Sequence, residues 1–374
     1  MIKVLFLIPN LGHGGAEKVL VNLVNHMDRE KFKITVMALY DEGVNRASLA
    51  PHIEYRACFK RSFTGVSHLL KLLSPEQLYK RLIQEHYDIV VSYLEGQTAR
   101  IVSGCTDPKT IKICWIHRTM TSMRDSARLF RGESEAKHCY SAFDKIVSVS
   151  KDVQNAFMNL YHLDDKGIVL YNTNETDQIL TMANESVELD IFSENQIKLC
   201  AMGTLIPVKG FDRLIRVHDR LRKDGFPVHT YILGEGPEEK KLKSLAVSLG
   251  HEKTVSFLGY HTNPYKYMKQ CDLLVCSSFA EGFSTAATEA LIVGTPVCTV
   301  EVSGMKEMLG ENNEYGVVTQ NNEDDFYDGL RRLLCDRRLL AHYKIQAKVR
   351  GEKFNTYSTV HVVENAFLRL LRHE

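Results

Sequence analysis

Glu281 and Glu289 bracket the run EGFSTAATE, whose intervening side chains are small except for one phenylalanine. Upstream, CDLLVCSSF holds an apolar run from Leu273 to Cys276 that ends in two serines. That is the pattern of a strand buried on both faces of a parallel sheet. Downstream, Ala286, Ala287, Ala290 and Leu291 recur at helical spacing until Gly294-Thr295-Pro296, a helix stop. The stretch reads as a strand-to-helix turn, with Glu281 in the loop, Ser284 or Thr285 as the N-cap, and Glu289 in the early helix. Small side chains leave backbone N–H groups uncovered at the positive end of a helix dipole, which makes an anion site, most naturally for phosphate. One carboxylate before that site and one inside the helix can grip hydroxyl groups on either side of the phosphates. A sugar nucleotide, with ribose, diphosphate and sugar in a row, has that layout. A plainer role also fits: Glu289 complements the helix N-terminus while Glu281 stands in water.

Four other short runs have residue types able to take part. GHGGAE, residues 12–17, offers the backbone donors of Gly14 and Gly15, but Glu17 stands where a dinucleotide fingerprint needs glycine. GTLIPVKG, residues 203–210, carries Thr204 and Lys209, and the lysine can approach a diphosphate as a point charge. GEGP, residues 234–237, places Gly234 in another turn at a strand end. In WIHR, residues 115–118, His117 closes an apolar strand and can hydrogen-bond a sugar hydroxyl, while Arg118 can hold an anionic acceptor. Taken singly, each also fits a tight turn, a solvated cation or a structural histidine. The chain has no D-x-D pair, which removes the commonest carboxylate scheme for a metal-bridged nucleotide sugar.

The elements that must position these residues alternate along the chain. Strands are expected at IKVLFLIPN, FKITVMALY, YDIVVSYLE, IKICWIHR, FDKIVSVS and GIVLYN. An amphipathic helix follows the first, with Ala16, Val19, Leu20, Leu23, Val24 and Met27 on one face. A polar break, TNETDQILTMANESVELD, precedes a second series: IKLCAMG, HTYILGEG, TVSFLGY, DLLVCSS and TPVCTV. Helices are expected at FDRLIRVHDRLR and at PEEKKLKSLAVSLG, the latter with Pro237 at its first position and Gly250 at its end. Repeated β-α alternation means doubly wound parallel sheets, and two series mean two Rossmann-like domains. Ligands then belong outside the carboxyl ends of the strands, in a cleft between the domains.

Composition narrows the function classes. A chain of 374 residues is long enough for two or three domains, and a net charge of +1 lacks the basic footprint of a nucleic-acid binder. Nine cysteines without metal spacing, among them Cys114, Cys200, Cys276 and Cys298 in or beside apolar strands, read as reduced thiols of a cytosolic protein. No run reaches the ~18 apolar residues of a membrane span. The opening apolar run leads into GHGGAEK without a cleavage pattern and reads as a first strand, not a signal peptide. Residues 56–73, RACFKRSFTGVSHLLKLL, mix basic and apolar side chains with no acid, as would suit contact with an anionic membrane or an ordinary surface helix.

In order, GGAE, a histidine after the fourth expected strand, Gly-x-Leu followed by Lys-Gly, Gly-x-Gly-Pro, and the glutamate pair resemble the retaining glycosyltransferases of the GT-B fold. The likeness is to family four, "glycosyltransferase group 1", of bacterial surface-polysaccharide assembly, and it runs essentially the full chain. Smaller matches are Ser150-Lys151, Asn172, and Gly304 with Glu307. The resemblance implies an α/β protein with two Rossmann-like domains facing each other across a cleft. The first spans 1–173 plus a returning helix in 357–374, and a nucleotide-sugar domain spans 174–356. It implies that Glu281 contacts the donor sugar, that Glu289 holds the ribose, and that amides of Phe283, Ser284 and Thr285 hold sugar and phosphates. Lys209 would neutralise the leaving diphosphate, with Gly14 and Gly15 closing over it, and His117 would lie beside the sugar. Where the family has arginine after the first glycine of the 203–210 motif, this chain has Thr204, so two cations on the diphosphate become one.

The expected reaction is therefore transfer of a hexose or N-acetylhexosamine from a nucleotide-diphosphate sugar, a UDP-sugar in this reading, to a saccharide or lipid-linked saccharide. No cofactor or metal is expected beyond the substrate, and no nucleic-acid partner. The expected location is the cytoplasm or the cytoplasmic face of the membrane. An epimerase on the same fold and a catalytically silent partner subunit remain as alternatives. So does a covalent intermediate against front-side attack.

Overall fold

The computed structural model of the chain describes residues 1–12, 14–62, 65–187 and 196–372. It divides into two compact units, Met1–Asn174 with Thr356–Glu374, and Glu175–Asn355.

The first unit is built on seven parallel strands: β1 (Ile2–Ile8), β2 (Phe32–Tyr40), β3 (Glu54–Phe59), β4 (Ile89–Ser92), β5 (Ile111–Ile116), β6 (Lys145–Ser148) and β7 (Gly167–Val169). Their order is β3-β2-β1-β4-β5-β6-β7, with Ile2 paired to Phe32 and Val4 to Ile89 on the two sides of β1. Val4 to Ile8 are fully buried because helices cover both sheet faces, which is why the strand reads as one apolar run. The helix Gly15–His26 buries Val19, Leu20, Leu23 and Val24, as its spacing demands. The helix Thr356–Leu371 also belongs here. Its Thr356 hydroxyl donates to the Asn174 carbonyl at 2.6 Å, Glu364 accepts from the Asp28 amide at 2.6 Å, and Phe367 lies 6.2 Å from the Phe6 ring.

Strand β3 is not anticipated by the pattern. It is an edge strand with no fully buried position, so it lacks the apolar run that marks its neighbours. Its presence makes His117 follow the fifth strand, not the fourth. It also claims Arg56–Phe59 of the basic, apolar segment for the sheet, leaving a short helix Val66–Leu70 after it. Phe63 and Thr64 of that segment, like His13 of the first glycine motif, lie outside the described residues.

The second unit holds β8 (Ile197–Met202), β9 (Val228–Leu233), β10 (Val255–Gly259), β11 (Leu273–Cys276), β12 (Val297–Val300) and β13 (Val317–Thr319), all parallel, in the order β10-β9-β8-β11-β12-β13. Its core joins Leu199, Ala201, Ile232, Leu273 and Val275 from the strands to Leu214, Ile215, Leu221, Phe326 and Leu330 from the covering helices. The polar stretch after Asn172 is not wholly a break. It contains the helix Thr176–Ala183, held by buried Ile179 and Ala183 four positions apart, one helical turn that its polar neighbours obscure. Residues 188–190 of that stretch lie outside the described residues.

In each sheet the strand order turns back between two adjacent strands, β1 and β4 in the first unit, β8 and β11 in the second. The carboxyl ends of the strands at such a turning point are the place where open α/β sheets hold ligands. All nine cysteines are free, and most are buried. Among the described residues no helix is long and apolar enough to cross a membrane.

Candidate active site

At the second unit's turning point, β8 leads through Gly203 and Thr204 to a short 3-10 turn, Pro207–Lys209, and β11 leads to Ser277–Glu281. The two loops are laced together. The Phe279 amide donates to the Val208 carbonyl at 2.7 Å, and the Ser277 hydroxyl donates to the Lys209 carbonyl at 3.2 Å. Gly210 has φ +63°, and a Cβ on it would lie 2.1 Å from the Ser277 carbonyl oxygen. Only glycine allows that closeness.

This lacing brings the sequence-predicted Lys209 and Glu281 onto each other. The Lys209 ammonium lies 2.7 and 2.9 Å from the two carboxylate oxygens of Glu281, and the Ser278 hydroxyl donates to one of them at 2.6 Å. Both side chains are largely sheltered, with 27% and 11% exposure, so the pair is a fixed charge constellation with an open edge. The chemistry is a cation that can follow developing negative charge and a carboxylate that can accept from sugar hydroxyls. Cys276, just below, is no nucleophile: burial first and the Glu281 charge second push its thiol up to about 12.

The helix that follows spans Thr285–Val293 and ends at Gly294, φ +82°. Ser284 is the N-cap, its hydroxyl accepting from the Ala287 amide at 3.3 Å. The first-turn amides, Thr285 among them, have no intrahelical acceptor. Phe283 and Ser284 are buried, and the Gly304 turn packs so closely on Gly282 and Phe283 that a Cβ there would meet the Phe283 ring at 2.8 Å. Glu289, 3% exposed, accepts from the Tyr265 hydroxyl at 3.2 Å. Of the plainer reading, the half that fails is the solvated Glu281, which is sheltered and paired. Ser278 and Tyr265 are the partners that sequence reasoning missed. Ser278 stands three residues before Glu281 and could have been noticed, whereas Tyr265 gives no local signal.

The other glycine motifs play supporting parts. Gly234 has φ +133°, and a Cβ on it would lie 2.0 Å from the Gly203 carbonyl oxygen. Beside it the Leu205 amide donates to the Glu235 carbonyl at 2.9 Å. GEGP is thus a backbone seam against the 203–210 turn. Thr204 is exposed, its carbonyl accepting from the Ile206 amide at 2.8 Å.

In the first unit, Gly14 caps the helix Gly15–His26, and Glu17 folds back so that a Cβ on Gly14 would touch its carboxylate at 2.1 Å. Burial raises the Glu17 carboxyl above its ordinary range. At the end of β5 the His117 amide donates to Glu95 at 3.1 Å, and its ring lies 4.8 Å from Tyr93 and 6.3 Å from Trp115. Desolvation lowers the imidazole to about 3, so it is neutral. Among the described residues its buried Nε2 finds no hydrogen-bond partner, nor do the Tyr93 hydroxyl and the Trp115 Nε1. Buried orphans of this kind call for an explanation, and these three lie close together. The next residue, Arg118, is half-exposed. Its guanidinium is engaged by Glu95 at 3.1 Å and Asp125 at 2.6 Å, so its charge is already matched. Among the described residues no group of three or more His, Cys, Asp or Glu is placed to hold a metal ion.

Sequence comparison agrees with this architecture over nearly the whole chain. Residues 13–178 match the Glycosyltransferase Family 4 profile, and residues 187–350 match the Glycosyl transferases group 1 profile. The chain belongs to the family 4, group 1 glycosyltransferases, and its fold is GT-B. It is a transferase enzyme. A relative in Campylobacter jejuni, N-acetylgalactosamine-N,N'-diacetylbacillosaminyl-diphospho-undecaprenol 4-alpha-N-acetylgalactosaminyltransferase, is 28% identical over 95% of this chain and 96% of its own. Anabaena HepE, solved in complex with UDP-glucose, superposes with a TM-score of 0.78 at 18% identity, covering 98% of this chain and 99% of HepE. WaaG, a glycosyltransferase involved in lipopolysaccharide biosynthesis, gives 0.73 at 17% identity, covering 97% and 99%.

Proposed function

We propose that this glycosyltransferase moves a hexose or N-acetylhexosamine from a UDP-sugar to a lipid-linked saccharide, with retention at the anomeric carbon and without a metal. The observation that carries the reading is the Lys209–Glu281 pair, fixed by Ser278 where the β8 and β11 loops are laced together. Breaking a glycosyl–phosphate bond puts negative charge on the diphosphate and positive charge on the sugar ring. Lysine and helix-first-turn amides stabilise the former, and the carboxylate orients the latter. Glu281 holds the sugar in this reading and does not attack it, with the departing phosphate taking the acceptor's proton. Glu289 holds the ribose from within the helix.

The named activity of the Campylobacter relative, on a diphospho-undecaprenol-linked saccharide, supports the acceptor class, and HepE with UDP-glucose supports the donor. A place on the cytoplasmic face of the membrane suits such an acceptor. The exposed Leu69 and Leu72 beside Lys71 in the first unit offer the contact.

Release of UDP from a panel of UDP-sugars, with a polyprenyl-diphosphate saccharide as acceptor and EDTA present, tests the reading. Glu281→Ala should lower turnover at least about a thousandfold, and nuclear magnetic resonance of the product should give the retained anomer. Conversion of the sugar nucleotide without acceptor would make the chain an epimerase. No turnover in either form would make it a silent subunit.

A further inference from the structure

We infer that Arg213 is a positioning residue: it latches the backbone of Ser277–Phe279 so that Ser278 and Glu281 keep their geometry against Lys209. This rests on the reading of Glu281 given above. Arg213 stands on the helix Phe211–Lys223 and is 3% exposed. Its Nη2 donates to the carbonyl oxygens of two successive residues, Ser277 and, at 3.1 Å, Ser278. Its Nη1 donates to Asn321 Oδ1 at 2.8 Å, and its guanidinium carbon lies 4.4 Å over the Phe279 ring. Asn321 in turn donates to the Phe279 carbonyl at 3.4 Å. Among the described residues no carboxylate forms an ion pair with Arg213.

A buried cation held only by neutral acceptors is costly to desolvate, and an apolar side chain of similar volume would fill the same space at lower cost. What arginine adds is a rigid planar fork that seizes adjacent carbonyls and a ring at once. All of those partners lie in, or beside, the irregular segment that carries Ser278 and Glu281. Ser278 follows Ser277 directly and donates to Glu281, so the orientation of the carboxylate depends on where those two carbonyls are held. The latch therefore acts through Glu281 and touches no reacting atom itself.

Arg213→Met and Arg213→Lys test this, read by turnover of a UDP-sugar, by UDP affinity, and by amide hydrogen exchange of the peptide 276–283. Arg213→Met should lower kcat about a hundredfold, the size of effect expected from a misplaced group, while the UDP Kd moves by no more than about threefold. Exchange in 276–283 should quicken about tenfold with the rest of the second unit unchanged. Arg213→Lys should recover about a tenth of the lost rate, because it restores charge without the fork. Turnover within about threefold of the parent with unchanged exchange overturns the latch. So does faster exchange throughout the second unit with kcat and UDP binding falling together. Should Arg213→Met fail to fold, Asn321→Ala removes one guanidinium partner and should lower kcat about fivefold with faster exchange in the same peptide; no change in either measure overturns the latch. A parent protein that turns over no UDP-sugar sinks the proposed function instead, and the exchange result then decides the latch alone.

Discussion

The carboxyl end of β11, at the second sheet's turning point, and the carboxyl end of β5, one strand beyond the first sheet's turning point, are built from opposite materials. At β11 two opposite charges and a hydroxyl are bound together: Lys209 and Ser278 both reach Glu281 within 2.9 Å. At β5 the groups facing one another are neutral and partly unmatched: His117, Tyr93 and Trp115, each with a buried polar atom that has no partner among the described residues. The strong cation there, Arg118, is paired with Glu95 and Asp125. In the proposed reaction, the charge that responds to the breaking glycosyl–phosphate bond belongs to Lys209 and Glu281 of the second unit. In the first unit the buried polar atoms of His117, Tyr93 and Trp115 carry a desolvation cost that no partner among the described residues offsets.

Breaking the charged half should have the largest effect. Lys209→Met should lower kcat about a hundredfold to a thousandfold, roughly 3–4 kcal/mol of barrier, with a smaller change in KM. Steady-state UDP release measures it, and a rate within tenfold of the parent would move the leaving-group cation elsewhere.

Acid should act on both halves through their buried histidines. His117 and His218 each have a depressed pKa of about 3, from desolvation in both and from the nearby His251 charge second in His218. His218 is fully buried, bonded to Thr230 at 2.9 Å and Thr254 at 3.0 Å, with His229 and Arg222 further opposing its charge. Between the ordinary value of 6.5 and about 3, the unfolded chain binds protons that the native chain refuses. Stability is therefore complete above that ordinary value and is lost as pH falls, by at most about 1.4 kcal/mol per pH unit per histidine. Urea unfolding at pH 7 and pH 5 checks this. His218→Gln should flatten the slope, and an unchanged slope would show that His218 takes a proton when folded.

His117→Ala should cost about tenfold in kcat/KM, the worth of one neutral hydrogen bond in a dry site. Its pH–rate profile between pH 6 and 8 should match that of the parent, since a neutral imidazole does not titrate there. A lost ionisation in that range would make His117 an acid–base group. The smallest effect is expected at exposed Thr204, where Thr204→Arg restores a second cation beside the diphosphate. UDP should bind about threefold tighter by calorimetry, and a neutral outcome would mean that Lys209 alone suffices.

Much of this arrangement is legible along the chain. The alternation of apolar runs and helical faces gives both sheets except for one edge strand of each, because central strands covered on two faces must be apolar throughout. Strands β3 and β13 escape because one has no fully buried position and the other has three residues. Gly210 and Gly234 are legible as turns, but not as the points where two turns touch, since closeness between segments leaves no mark on either one. The glutamate pair and Lys209 stand out by type and place. Their contact with each other does not.

Residue order alone settled that small side chains, two acids and a lysine would meet strand ends, because periodicity and turn chemistry act over a few residues. Folding decided the partners: Tyr265 on Glu289, Glu95 and Asp125 on Arg118, and Arg213 beneath the serines before Glu281. Such pairings depend on which strands become neighbours and on how loops lie after burial excludes water, and no local rule encodes either.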